Sequence, residues 1–108
     1  TSSTMSSIVI YCTCPDIESA ERISRHIVEQ RMAACVNLIP GITSIYTWDG
    51  NIQRDQEVLL VMKSTKDRFD DIQNLISDEH PYDLPELIAV PITESSPDYL
   101  EWIKQCTK

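Results

Sequence analysis

Hydrophobic positions in this chain fall into two periods, and the switches between them mark the elements. Ser7-Ile-Val-Ile-Tyr-Cys12 is a short β-branched run closed by Cys14-Pro15-Asp16, which predicts a strand and a turn. From Ile17 the spacing becomes helical: Ile17, Ala20, Ile23, Ile27 and Val28 recur on one side. Asp16 stands at the capping position, and Glu18 and Glu21 lie near the positive end of the dipole. Ala33 to Trp48 is β-branched and aromatic, meets Asp49-Gly50 and returns as Ile52 to Ser64, the pattern of a long hairpin. Its first arm would reach about 53 Å if extended, against a diameter of roughly 35 Å for a domain of this length. The arm must bend or protrude, and Pro40-Gly41 is the place for a bend.

Ser64-Thr65-Lys66-Asp67 fits a capping box, and Phe69, Ile72, Leu75 and Ile76 form the stripe of a second helix that ends at His80-Pro81. Glu86 to Thr93 reads as a last strand, with Pro91 favouring an edge. Ser96-Pro97-Asp98 opens a terminal helix with Tyr99, Trp102, Ile103 and Cys106 on one side. The order β-α-β-β-α-β predicts an α+β, ferredoxin-like split βαβ fold with an antiparallel sheet, a long protruding β-hairpin and an extra C-terminal helix. Val58 to Met62 is apolar at both parities of its strand, so both faces of the sheet require cover. Either sheets of a symmetric homo-oligomer pack on one another, or the terminal helix alone folds over the open face.

Composition narrows the function. With 108 residues, the chain suits one domain, expected over residues 8–108 behind a flexible N-terminal segment, residues 1–7. A net charge of −8 argues against nucleic acid and anionic membranes, and Lys and Arg are scattered rather than gathered in a stripe. No apolar run approaches the roughly 20 residues of a membrane span, and the start lacks the features of a secretory signal, so a cytoplasmic location is expected. Met5 reads as a native start, unless an export signal has already been removed. The four cysteines are too few and too irregular for a disulfide framework and are expected as free thiols.

Catalytic signatures are missing. Two glycines exclude a dinucleotide fingerprint or P-loop, there is no G-x-S-x-G, and Cys12-Thr-Cys-Pro-Asp16 offers no phosphate cradle, so no enzyme is expected. Cys12 and Cys14 share a strand face, where thiolates suit Cu(I) or Zn. No second pair exists, which argues against a closed structural zinc site. Cys35 reads as packing within an apolar strand. His80, beside Asp78 and Glu79, is placed to bind a divalent cation or simply to favour a helix C-terminus, and His26 reads as a solvated surface residue.

A set of longer motifs goes further: Arg31-Met-Ala-Ala-Cys-Val-Asn37, Ile39-Pro-Gly-Ile-Thr-Ser-Ile-Tyr46 with Trp48-Asp-Gly50, Glu57-Val-Leu-Leu60, His80-Pro-Tyr82 with Pro85-Glu86, and Tyr99-Leu-Glu-Trp-Ile103. With them the chain resembles the CutA family of divalent-cation-tolerance proteins from about Ile8 to Ile103. The resemblance implies a cytoplasmic homotrimer, related in architecture to PII-like signalling trimers. It also implies copper or another heavy metal as ligand, held through Cys12 and His80. Glu79, a harder ligand, stands where copper-binding members carry a second histidine. The expected metal set is therefore Cys12, His80 and Glu79, with divalent metal ions and further copies of the chain as partners. The alternative is a PII-like trimeric sensor or scaffold binding a small molecule or protein. Some relatives are linked to anchoring a membrane-associated enzyme, but no lipid motif occurs here.

Overall fold

The computed structural model describes residues 6–108. Positions 1–5 of the expected flexible segment lie outside the described residues, while Ser7 already opens the first strand. The elements are β1 (Ser7–Cys14), α1 (Ile17–Glu29), β2 (Cys35–Trp48), β3 (Asn51–Thr65), a 3-10 turn (Lys66–Arg68), α2 (Phe69–Glu79), β4 (Ile88–Pro91) and α3 (Pro97–Cys106). The sheet runs β2-β3-β1-β4 with every neighbouring pair antiparallel, the ferredoxin-like order.

Local chemistry explains the joints. The Asp16 carboxylate accepts from the Ser19 backbone N–H at 2.7 Å and starts α1. Arg31 and Met32 N–H groups close its far end on the carbonyls of Val28 and Ile27, a Schellman arrangement that holds Arg31 at φ 60°. At the hairpin tip Asp49 (φ 52°) and Gly50 (φ 75°) form a tight turn with both central residues left-handed, matching strand twist. Lower down, the register passes from Ile39 opposite Leu59 to Ile42 opposite Glu57, so Pro40 and Gly41 face one residue across a bulge.

Two expectations are corrected. The capping box does not form: Ser64 and Thr65 stay in β3, paired with Ile8 and Ser7, and the Ser64 hydroxyl donates to the Met32 carbonyl. Strand pairing with β1 outcompetes the cap. The last strand is only Ile88–Pro91, which pairs with Tyr11 to Ile8 of β1.

Helices α1 and α2 cover one sheet face. Its core joins Ile8, Ile10, Cys12 and Cys14 of β1 to Val58, Leu60 and Met62 of β3, with Ala20, Ile23, Ile27, Ile72 and Ile76 from the helices. On the opposite face α3 buries Ile103 and is fastened at its end by arginines: Arg31 donates to the Gln105 carbonyl at 2.6 Å, and Arg68 to that of Thr107 at 2.8 Å. This cover is partial, since Ile39, Ile88 and Val90 remain 45%, 54% and 46% exposed. The hairpin stretches the molecule to 47 × 25 × 22 Å and its radius of gyration to 14.6 Å, against about 13 Å for a compact chain of this length.

Candidate metal centre

The site forms where β1 and α2 end together. Alternation along β1 aims Cys12 and Cys14 at the helix-covered face. Pro81 stops α2, and His80 leaves the helix in an extended conformation (φ −76°, ψ 137°) that turns its ring inward. The ligand atoms of Cys12, Cys14 and His80 all lie within 4.8 Å of one another. Both cysteines are fully buried and His80 is 7% exposed.

The imidazole is held from both sides. Its Nε2–H donates to the Thr13 carbonyl at 2.7 Å, and its Nδ1 accepts from the Tyr82 N–H at 3.1 Å, which describes a neutral ring of defined tautomer. Tyr82 also stacks obliquely on it, centroids 5.0 Å apart. The two thiols polarise each other: the Cys14 sulfur, then burial, pushes Cys12 up, while the Cys12 thiol draws Cys14 down.

Cys12 and His80 come together as expected, and Cys14, paired with Cys12 on sequence grounds but left outside the expected metal set, joins them. Glu79 does not. Its carboxylate pairs with His26 Nδ1 at 2.8 Å, across the α1–α2 contact. Residues 79 and 80 straddle the helix end, so their side chains diverge. His26, expected as merely solvated, is thus the hydrogen-bonding partner of Glu79.

Sequence reasoning also passed over Glu57 and Tyr82 as individual residues, although both sit in the quoted motifs. Glu57 is buried and accepts from the Tyr82 hydroxyl at 2.7 Å; burial and then this carboxylate raise the Tyr82 phenol above its usual range. The signal was an acid opening an apolar strand run. Both line a groove of about 850 Å³ between the distal hairpin and residues 81–86, with Thr13, Trp48, Asp83 and Glu86.

Fold and site together define a ferredoxin-like domain that carries a buried dithiol and a histidine between its sheet and a helix end. The comparisons name its kin. The model of the CutA1 divalent ion tolerance protein family matches residues 8–106, and the chain belongs to that family. It is 43% identical over 107 residues to the chloroplastic CutA protein of Arabidopsis thaliana, covering 99% of this chain and 59% of that protein. It is likewise 43% identical to the divalent-cation tolerance protein CutA of Thermus thermophilus, covering 92% of this chain and 96% of the relative. The crystal structure of CutA1 from Oryza sativa superposes with a TM-score of 0.94 at 42% identity, over 97% of this chain and 96% of that one. The chain spans about three-fifths of the length of the plant relatives it matches. Among the described residues no helix is long and apolar enough to cross a membrane.

Proposed function

We propose that the protein contributes to divalent-cation tolerance by binding a heavy-metal ion, copper foremost, as a homotrimer, and that it acts by binding rather than catalysis. The observation that carries this reading is the buried Cys12–Cys14–His80 cluster, with three donor atoms within 4.8 Å. Thiolate and imidazole are the donors that copper and zinc prefer, and burial shields them from competing water. The metal is cargo, and the thiols must stay reduced to take it, which suits a cytoplasmic location.

Trimeric assembly is supported by the unshielded sheet face at Ile39, Ile88 and Val90 and by the protruding hairpin, whose Ile45 and Ile52 are 68% and 75% exposed. Calorimetric titration of reduced protein with Cu(I), Cu(II) and Zn, repeated on Cys12→Ser and His80→Ala, tests the metal. Weakened binding in both variants is expected. Unchanged binding would favour the PII-like sensor, for which the groove under Trp48 and Tyr82 supplies a ligand-sized cleft.

A further inference from the structure

We propose that Cys14 completes a three-coordinate site of two sulfurs and one imidazole nitrogen, which selects a monovalent soft cation, the cuprous ion, over divalent ions. This deepens the metal-binding reading above and rests on it.

Coordination number is the first reason. Among the described residues, Cys12, Cys14 and His80 form the one group of three side chains that bring metal-ligating atoms together. With the cysteines fully buried and the histidine nearly so, solvent has little access to supply further ligands. Zinc is almost always four-coordinate, and Cu(II) favours square arrangements of nitrogen and oxygen. Cu(I) has a filled d shell, no such demand, and an affinity for thiolate.

Donor hardness is the second reason. Among the described residues no carboxylate oxygen joins the three clustered donor atoms. Glu79 is held by His26 at 2.8 Å and Glu57 by the Tyr82 hydroxyl at 2.7 Å, and bringing either to the centre would break that bond. Apart from their contact with each other the sulfurs are lightly held, Cys12 Sγ making only a 3.8 Å approach to the Thr13 carbonyl. His80 joins by exchanging one of its two backbone hydrogen bonds for the metal, so the thiols bind first and the ring third. Uptake forms Cu–S bonds and releases the thiol protons to solvent; the ion enters and stays as Cu(I), with no electron transferred.

The test uses the full chain, reduced and anaerobic, competing with bicinchoninate for Cu(I) and titrated separately with Zn. X-ray absorption at the copper edge counts the sulfurs. We expect one Cu(I) per chain with two sulfur neighbours, Zn binding weaker by at least about a hundredfold, and Cu(I) affinity reduced at least about tenfold in Cys14→Ala. A single sulfur neighbour, equal affinity for Zn, or an unaltered Cys14→Ala would overturn the selection while leaving metal binding intact. If wild-type protein takes up none of these ions, the metal-binding reading falls and this inference falls with it. The sulfur count on wild-type protein decides the matter even if Cys14→Ala fails to fold.

Discussion

Residues adjacent in sequence need not share a site, and Glu79 and His80 show why. A helix that ends between two residues sends their side chains along different paths. His80 goes into the core under β1, and Glu79 crosses to His26 on α1. The pairing of Cys12 with Cys14 was legible because strand alternation is a strict rule. The destination of Glu79 depends on where α1 lies, which no local pattern states. Glu79→Gln should therefore leave metal stoichiometry and affinity unchanged in titration. Its stability cost should stay below about 1 kcal/mol in urea unfolding, because the His26 partner is half exposed and water screens the pair. Tyr82→Phe should cost more, about 1–3 kcal/mol, since it leaves the buried Glu57 carboxylate without its hydroxyl donor.

At the level of elements, turn chemistry was readable and competition between elements was not. Asp49-Gly50 and Pro40-Gly41 each demand unusual backbone angles, and both produced the turn and bulge that their composition implies. Ser64-Thr65-Lys66-Asp67 carries a helix-start pattern equally well, yet pairing with β1 claims its first two residues. Arg31 adds a subtler case, a non-glycine residue held left-handed at a helix end where glycine is favoured. Its guanidinium repays that strain by binding the carbonyls of Gln105 and Lys108 at the end of α3. Arg31→Ala keeps the strain and loses those bonds, whereas Arg31→Gly loses the bonds and relieves the strain. Chemical denaturation should thus find the glycine variant more stable than the alanine variant by about 1 kcal/mol. Equal stabilities would mean that Arg31 is unstrained. At Gly41 (φ 79°) an added Cβ meets nothing within 4 Å, so Gly41→Ala should cost only the backbone term, about 1–2 kcal/mol.

For the whole molecule, the Cys12–Cys14–His80 cluster and the exposed sheet face occupy different parts of one chain, which separates the proposed assembly from the proposed binding. Cys12, Cys14 and His80 all come from this one chain, on the side covered by α1 and α2. Val90 and Ile88 pair with Val9 and Tyr11 on the other side, where α3 leaves them about half exposed. The doubly apolar strand announced this need for cover, and in the proposed trimer neighbouring copies supply it. In the proposed trimer a carboxylate placed at these positions would be buried without a partner and repeated by symmetry, a penalty of several kcal/mol per subunit. Ile88→Asp combined with Val90→Asp should therefore give a folded single chain in sedimentation at micromolar concentration, with wild-type far-ultraviolet dichroism, because neither side chain belongs to the core. That monomer should still bind one Cu(I) per chain. A three-chain mass in the double variant would place the interface elsewhere, and a monomer that folds but no longer holds copper would mean that the centre needs its neighbours.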